Sequence, residues 1–192
     1  MDDWMAGTAD PFSGRLLRGE KIVWSGRPKQ GLMLTGRDGL LIPFSLMWGG
    51  FAFFWESSVL RSPNAPVVMV LFGIPFVLIG LFMIFGRFII DAWIRTGVFY
   101  ALTDRRVLIL RSLPSASFQS VSLELLPDAT LNETSDGRGT IRFGAAVPLW
   151  SRGAGGFGAW APTLDPTPQF IAIEDAGRVF ASIHERAQSA RT

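Results

Sequence analysis

The chain has 192 residues, of which 18 are basic and 16 acidic, and it contains one histidine and no cysteine. The lack of cysteine excludes disulfides, thiolate nucleophiles and iron–sulfur clusters, and a single histidine argues against a His-based metal centre or a Ser-His-Asp triad. The net charge of +2 is too small to argue for nucleic acid as a partner. We therefore expect no cofactor and no nucleic-acid ligand. The acidic start, with no apolar run close behind it, predicts no cleavable signal peptide.

Two stretches without an ionisable residue, 39–55 and 65–85, dominate the first half of the sequence. About 20 helical residues cross the ~30 Å hydrocarbon core of a bilayer, so both stretches are close to spanning length. We predict a transmembrane helical hairpin in which residues 56–64 form the connection. The alternative is that one stretch is a buried core helix of a soluble protein. Because neither stretch contains an ionisable residue, an anchor is favoured over a transport pathway.

The distribution of basic residues predicts the orientation of this hairpin. The connection carries only Arg61, offset by Glu56, whereas the flanks carry most of the neighbouring positive charge. The flanking residues are Arg27, Lys29 and Arg37 before the first stretch and Arg87, Arg95, Arg105 and Arg106 after the second. Both termini are therefore expected in the cytoplasm. Trp48, Trp55 and Trp93 are interpreted as anchors at the membrane–water interfaces.

The second helix is predicted to continue beyond the membrane through residues 86–96. Arg87, Asp91 and Arg95 recur every four residues and share one face of this extension, while its other face is apolar. We interpret the charged face as a solvated stripe or as a contact with lipid headgroups.

Residues 97–192 predict one small α+β domain. Alternating apolar positions predict strands at 98–103, 107–110, 118–123, 129–134, 140–143 and 169–173, and an apolar stripe at helical spacing predicts a helix at 175–188. A tight turn is expected at 104–106 and another at Asp136-Gly137. Tyr100 and Leu102 are expected to face the core.

A loop rich in glycine, alanine and proline is predicted at residues 144–168. Its glycine run, 153–158, lacks the Gly-Lys-Ser/Thr ending of a phosphate-binding loop. Trp150, Phe157 and Trp160 in this loop are candidates for contact with the bilayer interface or with a partner. The alternative is that they pack the loop against the domain.

Several segments are similar to one known family. They are Gly-Glu-Lys-Ile-Val-Trp-Ser-Gly-Arg-Pro at 19–28, Tyr-Ala-Leu-Thr-Asp-Arg-Arg-Val at 100–107 and Asp-Gly-Arg-Gly-Thr-Ile at 136–141. Through them the chain resembles a bacterial family of membrane proteins that carry a pleckstrin-homology-like (PH-like) domain. The resemblance implies a PH-like antiparallel β-barrel or sheet capped by a C-terminal helix, joined to two helices in the inner membrane, without catalytic residues. The domains would be a cytoplasmic segment at 1–37, the hairpin with its extension at 38–96 and the PH-like domain at 97–192.

The expected function is that of a non-enzymatic integral membrane protein whose cytoplasmic domain binds a membrane protein partner or lipid headgroups. The candidate contact residues are Arg87, Arg95, Arg105, Arg106, Trp150 and Trp160. One alternative is a small accessory subunit of a large membrane complex, such as an energy-transducing one. Another is an interfacial enzyme that uses Glu133, Asp136 or His184, but no nucleophile–base pair can be read from the sequence.

Overall fold

The structure is a computed structural model, and it describes residues 11–126, 128–134, 137–144 and 161–190. The chain divides into two compact units. One, called here the hairpin unit, is Gly31–Ala92. The other, the β domain, combines the chain up to Gln30 with the chain from Trp93 onward. In sequence, the hairpin unit is therefore an insertion within the β domain.

The hairpin unit is built from helices. Helix α1 (Asp38–Arg61) is followed by α2 (Val67–Leu81), a π-helical turn (Phe82–Gly86) and α3 (Arg87–Thr96), whose last residues belong to the β domain. The segments from α2 to α3 form one helix of 30 residues. Both this helix and α1 are long and apolar enough to cross a membrane, by length and composition. The predicted helices, including the extension beyond residue 85, are present.

The connection between the two long helices is shorter than the sequence analysis placed it. Helix α1 continues to Arg61, so that residues 62–66 lie between the helices instead of 56–64. The helix accommodates its polar residues, since the Ser58 hydroxyl donates a 2.8 Å hydrogen bond to the carbonyl of Phe54. It ends where Ser62 adopts an extended conformation, as expected for the residue before Pro63.

Within the described residues, the β domain contains two antiparallel sheets and a C-terminal helix. The antiparallel strands and the helix were predicted, whereas their division into two sheets was not. The first sheet has the order β1 (Ile22–Gly26), β2 (Val98–Thr103), β3 (Arg106–Arg111) and β4 (Ser117–Ser122). The second has the order β5 (Ala129–Glu133), β6 (Gly139–Phe143) and β7 (Gln169–Ile173). Helix α4 (Ala176–Ala190) follows the last strand.

Strand β1 was not predicted, because residues 1–37 were assigned to a separate segment. It pairs antiparallel with β2, with Ser25 opposite Ala101 and Gly26 opposite Tyr100. Its partner strand lies on the far side of the hairpin unit in the sequence, so no local pattern links the two strands. The chain thus leaves the first sheet after Gly26 and returns at Val98 in the neighbouring strand.

The main core lies between the two sheets and α4. Tyr100 and Leu102 face it and are at most 1% exposed, which confirms their predicted direction. The fully buried ring of Phe170 has its centroid 4.7 Å from that of Tyr100, 5.3 Å from Phe143 and 5.5 Å from Trp24. This aromatic group joins β1 and β2 of the first sheet to β6 and β7 of the second.

The predicted turn between β5 and β6 is closed by the Thr134 N–H, which donates a 2.7 Å hydrogen bond to the carbonyl of Arg138. Gly137 in this turn has φ +75°, a conformation that favours glycine. Asp136, and residues 145–160 of the predicted loop, lie outside the described residues.

Candidate functional site

The six predicted contact residues are not all surface groups. Trp150 and Trp160 lie outside the described residues. Arg105 is exposed and Arg106 is half-buried, whereas Arg87 is 2% exposed and Arg95 is 1% exposed. The interpretation of the charged face of α3 as a solvated or headgroup-contacting stripe is therefore corrected. Its two guanidinium groups bind other parts of the protein.

Arg87 is a structural link inside the hairpin unit. Its Nη1 lies 2.7 Å from Oδ1 of Asp38, at the start of α1. The Asp38 carboxylate also accepts hydrogen bonds from the N–H and the hydroxyl of Thr35, at 2.6 and 2.9 Å. The Arg87 guanidinium lies 4.2 Å from the ring centroid of Phe88. A buried ion pair compensates better for its lost hydration when other groups bind its polar atoms, as Thr35 does here for the Asp38 carboxylate.

Helices α1 and α2 pack through small residues. The buried residues of α1 follow a heptad-like spacing and are Asp38, Ser45, Ala52 and Glu56. The buried residues of α2 are glycines, Gly73 and Gly80. A Cβ atom on Gly80 would lie 2.8 Å from the Cα of Gly49, so Gly80 has no room for a side chain. Close backbone approach of this kind is a common way for membrane helices to associate.

Polar atoms face into this helix interface. Glu56 is 9% exposed, and its Oε2, which has no hydrogen-bond partner, occupies the space beside Gly73 where a side chain would otherwise lie. The ring of Trp48 packs against that of Phe76, with centroids 6.2 Å apart, and its buried Nε1 also lacks a partner. Trp48 is thus half-buried and packs against the neighbouring helix, and its role as an interfacial anchor stays a prediction.

Arg95 belongs to a hydrogen-bonded junction within the β domain. We define the junction as residues 27–30, where the chain leaves the β domain, and residues 95–97, where it returns. Arg95 Nη1 donates a 2.6 Å hydrogen bond to the carbonyl of Lys29, and the Gln30 amide donates a 3.2 Å hydrogen bond to the carbonyl of Arg95. Arg27 donates to the carbonyl of Thr96. The two chain segments are thus joined beyond the end of the β1–β2 ladder.

The second sheet supports the same junction. The Lys29 N–H donates a 3.1 Å hydrogen bond to the carbonyl of Ala172 in β7. Ala172 has φ +45°, which is uncommon for alanine, and its own N–H donates to the Thr140 hydroxyl at 3.1 Å. Backbone strain of this kind costs about 1–3 kcal/mol and persists where surrounding contacts fix it. The junction is one of those contacts.

Arg106 forms a bidentate ion pair with Glu20. Its Nε and Nη2 lie 2.9 Å from the two carboxylate oxygens, which also accept hydrogen bonds from the Thr103 hydroxyl at 2.8 Å and the Leu17 N–H at 2.6 Å. Burial alone would raise the pKa of Glu20, but these hydrogen bonds and the Arg106 charge lower it from 4.5 to about 2. Hydrogen bonding to Glu20 in turn raises the pKa of Arg106. The pair attaches the segment before β1 to the β2–β3 turn.

Among the predicted contact residues that the structure describes, Arg105 has an exposed side chain. Its backbone is held in the β2–β3 turn, because its N–H donates to the Thr103 hydroxyl at 3.2 Å and its carbonyl accepts from the Leu123 N–H at 3.0 Å. A fixed backbone with an exposed guanidinium is suited to contact with an anionic group.

A polar cleft lies between the first sheet and the segment before β7. Its cavity is about 40 Å³, and its lining includes Tyr100, Arg111, Gln119, Thr163, Asp165 and Gln169. Arg111 donates a 3.2 Å hydrogen bond to the carbonyl of Thr163, and its buried Nε has no hydrogen-bond partner. Small-molecule sites usually measure about 300–1,000 Å³, so this cleft has room only for water or a single polar group.

Glu133 and His184, the described residues considered for catalysis, make separate contacts with α4. The exposed carboxylate of Glu133 lies beside Gly177 in the first turn of α4, where the helix dipole favours a negative charge. His184 is half-buried, and its Nδ1 lies 3.1 Å from the carbonyl of Phe180 on the same helix. Asp136 lies outside the described residues. Among the residues that the structure describes, no group of three or more His, Cys, Asp or Glu side chains could hold a metal ion.

Comparison of the chain with protein-family models, with curated proteins and with solved structures found no match. The function is therefore argued from the residues and their geometry.

The depressed pKa of Glu20 predicts a pH-dependent contribution to stability. Because the folded-state pKa is below the unfolded value, the contribution is present above about pH 4.5 and is lost as the pH falls towards 2. At pH 7 we expect Glu20→Gln to lower the free energy of unfolding of the β domain by on the order of 3 kcal/mol, and at pH 2 by close to nothing. Urea titration in mild detergent, followed by far-ultraviolet circular dichroism, measures the difference.

The matched control is Glu185→Gln, which replaces an exposed glutamate on α4 and should leave stability unchanged at both pH values. A Glu20→Gln effect that is the same at pH 7 and pH 3 would contradict the assignment of this stabilisation to the ion pair.

Proposed function

We propose that the chain is a non-enzymatic integral membrane protein in which the two long helices anchor a PH-like β domain that binds a membrane protein partner or lipid headgroups. The proposed location is the bacterial inner membrane, with the helix connection outside and both termini in the cytoplasm. The excess of basic residues on the flanks of the helices supports this orientation.

The observation that carries the proposal is the reversed polarity of the hairpin unit. Its outward side chains are large and apolar along both helices, including Phe44, Met47, Phe51, Phe54, Leu71, Phe72, Leu78 and Phe85, each more than 40% exposed. Its buried positions instead include Asp38, Glu56 and Arg87. In water such a surface would be a large apolar patch, but in a bilayer it is the expected arrangement.

The PH-like assignment is supported by the architecture of the β domain. In the part of the chain that the structure describes, seven strands form one sheet of four and one of three, and a C-terminal amphipathic helix packs into the core between them. This agrees with the antiparallel barrel or sheet capped by a helix that the sequence resemblance implies. The resemblance also implies no catalytic residues.

The orientation is testable by labelling, since the chain has no cysteine of its own. In intact bacterial cells a membrane-impermeant maleimide should label Ser62→Cys, in the helix connection, but not Arg105→Cys, in the β2–β3 turn. Arg105→Cys should become labelled only after the cells are permeabilised. Labelling of Arg105→Cys in intact cells, or release of the protein from membranes by carbonate, would overturn the proposed topology.

Binding is tested by comparing two exposed arginines, Arg105 and Arg18. One basic residue near an anionic surface contributes about 1 kcal/mol, so Arg105→Ala should weaken retention of phosphatidylglycerol about fivefold. Arg18→Ala, outside the predicted contact set, should leave it unchanged. Native mass spectrometry of the full chain in mild detergent measures the lipid, and crosslinking in cells identifies a protein partner. A wild-type protein that retains neither lipid nor partner would contradict the proposal.

A further inference from the structure

At the C-terminal end of the second long helix, three apolar side chains are exposed and the charged side chains are buried. In α3, Ile89 is 64% exposed, Ile90 is 38% exposed and Trp93 is 51% exposed. The charged positions 87, 91 and 95 of the same helix are at most 4% exposed. A helix that lies against a protein in water buries its apolar face and exposes its charges. The opposite arrangement indicates that the medium around this part of the helix is apolar.

Two further exposed apolar side chains lie at the same end of the hairpin unit. Leu32 and Leu34, which precede α1, are 72% and 71% exposed. The next residue, Thr35, binds the Asp38 carboxylate, and that carboxylate pairs with Arg87 at the start of α3. We call Leu32, Leu34, Ile89 and Ile90 the apolar collar.

We propose that the apolar collar contacts the acyl chains of the bilayer, so that lipid contact reaches Ile90 and Trp93 lies at headgroup level. The proposal rests on the membrane anchoring proposed above, and it moves the inner boundary of the membrane beyond residue 85. Val67 to Ile90 spans about 35 Å of helix at 1.5 Å per residue, more than the ~30 Å hydrocarbon core. A helix tilt of about 30° accommodates the difference, within the range observed for membrane helices.

A bilayer explains the collar better than a protein partner does. The collar continues the exposed apolar surface that follows the whole length of the second helix, from Val67, which is 73% exposed, to Phe85, which is 61% exposed. At membrane depth ionisable groups pair with one another inside the protein, as Asp38 and Arg87 do. Tryptophan is enriched where hydrocarbon meets headgroups, which suits Trp93 one turn beyond Ile89.

Nitroxide depth measurements test the proposal on the full chain in vesicles of phosphatidylethanolamine and phosphatidylglycerol. Single cysteines replace Leu32, Ile89 or Ile90, with Leu78→Cys as the mid-membrane reference and Leu125→Cys, 82% exposed in the β domain, as the aqueous reference. All five side chains are at least 38% exposed, so replacing them leaves the packing intact. Spin-label accessibility to molecular oxygen is compared with accessibility to a polar nickel complex, which hydrocarbon excludes.

We expect the oxygen-to-nickel accessibility ratio at positions 32, 89 and 90 to approach that at 78 and to exceed that at 125 by on the order of tenfold. A ratio at the collar equal to that at 125, with 78 in lipid, would overturn this inference and leave the anchoring intact. Immobile labels accessible to neither reagent would show a protein on the collar and would also overturn it. If Leu78→Cys itself were accessible to nickel, the proposed anchoring would fail as well.

Discussion

The pairing of β1 with β2 is the constraint on which the rest of the structure depends. These two strands are neighbours in the first sheet, yet residues 27–97 separate them in sequence, and that interval includes both long helices. A flexible connection of this length would oppose the pairing through its loop-closure entropy, although that cost grows slowly with length. The two helices form an ordered hairpin. Much of the conformational freedom of the connection is therefore already lost before the strands pair.

The junction extends this pairing beyond the strands. Arg95 and Arg27 each bind a backbone carbonyl of the opposite chain segment, and Ala172 of the second sheet binds the Lys29 N–H. Guanidinium groups that are buried and hydrogen-bonded to backbone carbonyls fix geometry more than they add net stability. Arg87 likewise links α3 to the start of α1 through Asp38, and Arg106 links β3 to the segment before β1 through Glu20. The arginines that sequence analysis assigned to lipid are, apart from Arg105, internal connectors.

The sequence was a good guide where periodicity was long and local. The two apolar helices, the strands from β2 to β7 and the C-terminal helix follow from runs whose spacing repeats several times. The direction of the charged face of α3 could not be read in the same way, because a helical wheel separates polar from apolar faces without saying which medium surrounds the helix. The seven-residue spacing of Asp38, Ser45 and Ala52 in α1, and of Gly73 and Gly80 in α2, was an available signal for the helix interface. Strand β1 and the Glu20–Arg106 pair depend on residues far apart in sequence, which no local pattern reports.

Hydrogen–deuterium exchange of the full chain in lipid nanodiscs tests the central claim most directly. If β1 pairs with β2 across the inserted hairpin, the amides of residues 22–26 that donate to β2 should exchange slowly, since they belong to the same hydrogen-bonded ladder as residues 98–103. Residues 115 and 116, which are exposed between β3 and β4, should exchange rapidly. Exchange of all amides of residues 22–26 at the rate of residues 115 and 116, with residues 98–103 still protected, would contradict the account.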